Sequence, residues 1–380
     1  MPSQPTLPDL AQTISNSTEI LTTYLESQNL NLSFDASSAS RLPFDAPEHV
    51  WNARSDLINA TQALHDLALG PAEHLKWQAS AAQDLMPIQW LHHFNIASHV
   101  PLEGTITYAA LAASAHVDEN LLKRLLRSAM LSAHLFTEPE PGRVGHSASS
   151  RLLATDADLR GLLEFELTIL APALSRTVDA QRKWNFSDAS THTGFNLALE
   201  YPDRPFYSYV GENQGKRDAL DGAFVEFART EGWAKKHLLK GFEWESLRDG
   251  SKVVDVGGST GHNSVFLARE FPGLRFVVQD LPGVAAEGQK RLPADMVDAI
   301  ECQAYDFLQP QPIEDADVYF FQNVFVDHSD AEAVVMLRNT RRAMKKPGAK
   351  CIIREPVVPV PGTIPVEDEL RIRYVLSLLK

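Results

Sequence analysis

Hydrophobic positions along the chain change their period partway through. In the first 45 residues Leu10, Ile14, Ile20, Leu21 and Tyr24 recur at roughly helical spacing in a Ser-, Asn- and Pro-rich background. This predicts an N-terminal helix packed on something, a partner subunit being one candidate. A second helix is expected over 46–69, with Trp51, Leu57, Ile58, Ala63, Leu64 and Leu67 on a common face. Residues 85–99 are apolar and helical, Thr107 opens a short helix through Ala113, and Asp118 caps a longer one through Leu131. The segments 135–138 and 143–146 then flank Pro139-Glu140-Pro141-Gly142, a β-ribbon signal. Helix, helix, ribbon is the order of a winged helix. Residues 151–245 read as mostly helical and carry many aromatics, among them Trp184, Phe195, Tyr201, Phe206, Tyr207 and Tyr209. They suit an ordinary core between two domains, or an apolar ligand pocket of the kind that forms at domain junctions.

From Lys252 the texture becomes strands alternating with helices. Strands are predicted at 252–256, 275–279, 299–304, 317–321 and 350–355, with helices at about 262–270, 282–290 and 330–345. That alternation is the signature of a parallel sheet covered on both faces. The predicted fold class is therefore α/β, with a Rossmann-like domain over 246–380. It follows a helical and winged-helix domain over 1–150 and a helical, pocket-forming segment over 151–245.

Composition narrows the choice of partners. At 380 residues the chain exceeds the size at which one core keeps growing, so more than one folded unit is expected. The formal net charge of −14 opposes a general affinity for nucleic acid. Lys123, Arg124 and Arg127 do lie on the second winged-helix helix, but so do Leu121, Leu122, Leu125, Leu126 and Met130, so packing is its expected task. No uninterrupted apolar stretch is long enough for a membrane-spanning helix. The start MPSQPTLPDL lacks the pattern of a secretory signal, and a cytoplasmic location is expected. Cys302 and Cys351 fall in strand segments and read as buried free thiols. The histidines are scattered without metal-ligand spacing, so no metal site is expected.

The strongest motif is Val253-Val254-Asp255-Val256-Gly257-Gly258-Ser259-Thr260-Gly261, which ends a strand and opens the next helix. Gly257, Gly258 and Gly261 permit a tight turn and close approach of a ligand to the backbone, and the helix N-terminus adds partial positive charge. Asp280 closes the second strand, where an acid commonly binds ribose hydroxyls, with Leu281 beside it. Both NAD and S-adenosylmethionine (SAM) use such a site. Asp255 discriminates: its carboxylate would repel a pyrophosphate but attract the ammonium of the methionine end of SAM. Asp306 and Phe307, just after the third strand, offer a polar contact and an apolar wall to the adenine.

On these residues the chain resembles the fungal SAM-dependent class I O-methyltransferases that act on secondary metabolites. The likeness runs from about residue 45 to the end, through LLKRLLRSAMLSAHLFTEPEPGRVGHSASSRLL, VVDVGGSTG, VVQDLP, YDF, FFQNVFVDHSDAEAVVMLRNTRRAMKKPGAK and IIREPVVP. The resemblance implies a homodimer with interlocked N-terminal helices, so that 1–150 is a dimerisation domain, and an aromatic helical roof over the acceptor. It also implies that the chain, ending at Lys380, stops before a Glu-bearing segment and the last two strands of the family's sheet.

The departures fall in one segment, Gln322-Asn323-Val324-Phe325-Val326-Asp327-His328-Ser329-Asp330. The family's general-base His aligns with Val326, its basic residue with Gln322, and its Trp with His328. Val accepts no proton, and a positioned base contributes roughly 10²–10⁴-fold to such a transfer. If the segment is a strand, neighbouring side chains alternate faces, and His328 sits about 6–7 Å from the lost base, filling the Trp space.

Bound SAM without a base suggests a non-methylating enzyme. The resemblance extends to SAM-dependent pericyclases, in which the sulfonium charge stabilises developing negative charge during dehydration and Alder-ene or hetero-Diels-Alder chemistry. Asp327, His328 and Glu355 are then the candidate catalytic groups, acting on an aromatic or polyketide-alkaloid substrate. One alternative is an O-methyltransferase acting on a phenolic or polyketide hydroxyl. A second is a binding protein without catalysis.

Overall fold

The computed structural model describes residues 5–229 and 235–357. They divide into two units, one of residues 5–169 with Asp218–Glu226, the other of Leu170–Arg217 and the remainder.

The first unit is largely helical. Its opening helix, Leu7–Ser27, starts at a Thr6 capping box with Asp9 and buries Leu10 and Leu21, two of the positions that predicted it. The next helix, Glu48–His93, is longer than the two separate helices expected over 46–69 and 85–99. Gly70-Pro71 reads as a stop signal, yet here it is a kink. Gly70 takes φ +69°, ψ 167°, and helical backbone resumes through the intervening residues. Asn95, left-handed at φ +51°, then separates a short turn of helix, Ile96–His99.

The strands are numbered here in chain order. β1, Ile106–Thr107, leads into helix Tyr108–Ala115, and β2, Thr137–Glu140, follows helix Glu119–Ala133. β3, Arg143–Gly145, lies between β1 and β2 in an antiparallel sheet. Both predicted caps are present. Thr107 Oγ1 accepts the Ala110 N–H at 3.2 Å, and Asp118 Oδ1 accepts that of Leu121 at 2.8 Å. Leu111, Leu122, Leu126, Ala129 and Val144 form the local core. Arg127 donates two hydrogen bonds of 2.8 Å to Glu138, and Lys123 lies over the Tyr108 ring, so two of the three basic side chains here already have partners.

The second unit is built on five parallel strands: β4, Lys252–Val256; β5, Arg275–Asp280; β6, Ile300–Ala304; β7, Val318–Gln322; and β8, Lys350–Arg354. All fall within one residue of their predicted bounds. Both faces are covered, so the strands read as continuous apolar runs. Val253, Phe276, Val278 and Phe320 pack on one side with Trp244 and Leu267, while Val254, Val256, Val277 and Phe321 pack on the other with Met336 and Ala343. The strand order is β6-β5-β4-β7-β8. The chain thus runs outward from β4 through β5 and β6, then returns to the other side of β4 as β7. Ligands of open α/β sheets bind where the order reverses, outside the carboxyl ends of the strands. Here those are the ends of β4 and β7.

Two expectations need correction. Cys302 and Cys351 lie in strands and are free, but Cys302 is only half-buried and Cys351 is exposed, because β8 is the outermost described strand on its side. The segment around Val326 is not a strand: β7 ends at Gln322, and Phe325–Asp327 is a turn of 3-10 helix. Among the described residues no helix is long and apolar enough to cross a membrane.

Candidate functional site

The turn after β4 is fixed by contacts that leave no room for a side chain. Gly257 and Gly261 have φ of +72° and +84°. A Cβ on Gly257 would lie 2.8 Å from Val324 Cγ2, and one on Gly258 would lie 2.6 Å from the Asp255 carboxyl carbon. Two N–H groups of the turn, of Gly257 and Gly258, donate to the Gln279 carbonyl of β5 at 2.7 and 3.2 Å. A third, of Ser259, donates to Asp280 Oδ2 at 2.8 Å, while Asp280 Oδ1 accepts the Leu281 N–H at 2.7 Å. Asp280 therefore shapes the turn directly, beside any ligand it holds. Leu281 is about half exposed at the start of helix Pro282–Arg291.

Asp255, at the end of β4, is 2% exposed and accepts a hydrogen bond from Ser264 Oγ at 2.6 Å. Burial pushes its carboxyl up to about 6, the Ser264 bond opposes this, and the charge of Asp280 adds to it. Burial likewise raises Asp280. Two carboxylates strained in this way suit a cationic ligand, which would lower both. Phe307 lies near this turn, its Cε1 3.9 Å from a Cβ built on Gly257. Asp306 is exposed and caps its own turn through the Leu308 N–H at 2.9 Å.

The turn after β7 is held differently. Glu355, one residue beyond β8, accepts the N–H groups of Val324 and Phe325 on Oε1 at 2.7 and 3.1 Å. This clamp ends the strand and turns the following residues into the 3-10 turn. The strand alternation invoked for Val326 and His328 does not apply there. His328 Nδ1 lies 3.4 Å from Glu332 Oε2, and its ring stands edge-on to Phe307 at 5.1 Å. Val326 is half-buried.

Asp327 is joined to a residue far away in sequence. Tyr207 Oη, on helix Phe206–Glu212, donates to Asp327 Oδ2 at 2.6 Å. Burial pushes the Asp327 carboxyl up to about 7, the Tyr207 bond opposes it, and the charge of Glu355 adds to it. Glu355 is itself raised by burial. Three acceptors at this end of the sheet, Gln322 Oε1, Asp327 Oδ1 and Glu355 Oε2, are closed off from water with no hydrogen-bond partner among the described residues. Enclosed acceptors are costly unless a donor meets them, and a ligand rich in N–H and O–H groups supplies donors.

Sequence reasoning named Asp255, Asp280, Asp306, Phe307, Gln322, Val326, Asp327, His328 and Glu355, and the structure gathers them on the carboxyl ends of the strands. It missed the pairing partners. Tyr207 stood in the sequence only as one of many aromatics, and Ser264 carried no signal.

Residues 207–378 match the O-methyltransferase domain family. The O-methyltransferase pgmB of Aspergillus terreus is 36% identical over 373 residues, which span 96% of this chain and 83% of that protein. The O-methyltransferase aurJ of Gibberella zeae is 35% identical over 376 residues, spanning 96% and 85%. Among solved structures, OxaC in complex with sinefungin and meleagrin superposes with a TM-score of 0.72 at 21% identity, over 96% of this chain and 89% of that one. Nearly full-length likeness to these relatives and a glycine turn flanked by a buried and a half-buried carboxylate together make this chain a member of the SAM-dependent class I O-methyltransferases of fungal secondary metabolism.

Proposed function

We propose that this protein transfers the methyl group of SAM to a hydroxyl of a small aromatic or polyketide acceptor. The observation that carries the reading is Asp255, buried under the glycine turn with its ionised form short of partners, beside Asp280. Asp255 and the backbone of Gly257, Gly258 and Gly261 would hold the methionine end, and Asp280 with Leu281 the ribose. Asp306, Phe307 and the open amide oxygen of Gln322 would face the adenine. When bound, SAM supplies a sulfonium methyl as the electrophile. The chain's own part is to orient that methyl, exclude water and receive the acceptor's proton, with Asp327, Glu355 and His328 as the polar groups nearest the altered turn.

Val326 favours a second reading, a pericyclase that binds SAM without consuming it. Incubation with SAM carrying a radiolabelled methyl and a set of phenolic acceptors separates the two. Labelled product with stoichiometric S-adenosylhomocysteine supports transfer. Cyclisation of a polyene precursor that needs SAM but leaves the label in it would overturn transfer in favour of the pericyclase.

The division into 1–150, 151–245 and 246–380 belongs to the same proposal, as does a homodimer working in the cytoplasm. Exposed apolar side chains on the long first-unit helix, Leu75 and Trp77 above all, support a partner subunit there. Tyr207, reaching Asp327 from within 151–245, supports the placing of that segment over the acceptor.

A further inference from the structure

We propose that Asp327, held in place by Tyr207, takes the role of the absent imidazole and receives the acceptor's proton on Oδ1. The inference rests on the methyl-transfer reading and deepens it. The position aligned with the family's base is Val326, which has no basic atom. His328, the nearest imidazole in sequence, is engaged with Glu332, and Glu332 is in turn committed to the Ser329 capping box. Glu355 spends one oxygen clamping the backbone of Val324 and Phe325.

Asp327 shares with Glu355 one engaged and one enclosed oxygen, but its engaged oxygen meets a side-chain hydroxyl instead of holding the backbone of the turn. One of its oxygens is fixed by the Tyr207 hydroxyl at 2.6 Å, and the other is enclosed with no donor among the described residues. A carboxylate anchored at one oxygen and unsatisfied at the other is oriented to accept a hydrogen from a ligand. Neighbouring groups set its strength. Burial disfavours the ionised form most, the Tyr207 bond opposes this, and the charge of Glu355 adds to it. The carboxyl is thereby brought up to about 7, near the range in which a general base is most effective. His328, Asp330 and Glu332 are the other charged or titratable groups on the same turn and the first turn of the helix it leads into.

The chemistry balances. The acceptor O–H bond breaks and its proton passes to Asp327 Oδ1. The freed oxygen lone pair forms the new C–O bond with the sulfonium methyl, and the C–S bonding pair remains on sulfur, giving neutral S-adenosylhomocysteine. Asp327 then loses the proton to water. Asp327 is the catalytic residue of this step and Tyr207 a positioning residue.

The test uses the full chain, radiolabelled SAM, a dihydroxynaphthalene as a weakly acidic acceptor and nitrocatechol as one already ionised near neutrality. Asp327→Asn, nearly isosteric, should lower kcat on the dihydroxynaphthalene by roughly 10²–10⁴-fold with little change in KM, and should retain most of its rate on nitrocatechol. Tyr207→Phe should move the kcat inflection to higher pH, because the carboxylate loses a donor. Infrared difference spectra of the ligand-free protein give a reading independent of turnover: a carboxyl band that titrates near neutrality in the wild type, is missing in Asp327→Asn and shifts upward in Tyr207→Phe. Matching melting curves establish that the variants fold, and Asp327→Glu, which keeps a carboxylate, should recover part of the rate. Wild-type methylation with Asp327→Asn within a few-fold of it, or no such band, would overturn the assignment and leave methyl transfer standing. Binding of S-adenosylhomocysteine with no methylation of any acceptor by the wild type would instead overturn the methyl-transfer reading, and this assignment with it.

Discussion

The turns after β4 and β7 leave neighbouring strands at the same end of the sheet, yet they are built on different principles. In the first, sterics decide. Gly258 has no space for a Cβ, Gly257 needs a left-handed backbone, and every link is to an adjacent strand or turn. In the second, a side chain from the end of β8 clamps the backbone, and a tyrosine 120 residues away fixes the carboxylate. A turn constrained by its own backbone tolerates little change. One constrained by remote side chains allows exchange of the residues between its anchors, and Val326 and His328 lie there. The two turns still touch, through Val324 against Gly257, so their independence is a matter for experiment.

The largest expected effect tests the first turn. Asp255→Asn removes the buried charge that faces a cationic ligand, a change that costs about 2–5 kcal/mol in comparable pairs. Affinity for S-adenosylhomocysteine, measured by calorimetry, should fall by roughly 10²-fold or more. An unchanged affinity would break the comparison at its root.

Next comes the clamp. Glu355→Leu strands the N–H groups of Val324 and Phe325, and each unsatisfied buried group costs about 1–3 kcal/mol. Denaturant unfolding should register that loss while S-adenosylhomocysteine affinity stays within a few-fold. A matching collapse of affinity would mean that the two turns are not independent.

Of intermediate size is the pH dependence of cofactor affinity. Asp255 in the ligand-free protein is raised to about 6, and a cation binds its ionised form. Affinity should therefore be level above that value and fall toward about tenfold per unit as pH drops below it. Calorimetry across this range in Asp255→Asn should show a flat profile.

The smallest change is expected from Val326→His. With Asp327 already serving, an imidazole at 326 should raise methylation less than about tenfold, yet restore much of the loss in an Asp327→Asn background. A large gain in the otherwise unaltered protein would mean that no base operates there now.

What the sequence made legible follows the same divide. β4 to β8 were found within a residue because strands buried on both faces are continuous apolar runs, and the glycine turn was found because its residue types are dictated locally. The helix over Glu48–His93 was underestimated because, although Gly70 does break the helical backbone, helix resumes directly beyond it through residues that carry no apolar period. The bend at Phe325–Asp327 could not be read from its own residues, because its cause lies at Glu355. The Tyr207–Asp327 bond was invisible for the same reason: neither residue's neighbours in sequence hint at the other.

Glu355 follows β8 immediately, and β8 pairs with β7 in a single register that sets Gln322 opposite Arg354. Slippage of that ladder by one position would turn the clamping carboxylate to the opposite side of the sheet while sacrificing few backbone bonds. Alignment of the outermost described strand thus acts as a gauge for the reactive corner, and an error in its assembly would forfeit the clamp, so that lost activity and a lowered melting temperature would appear together.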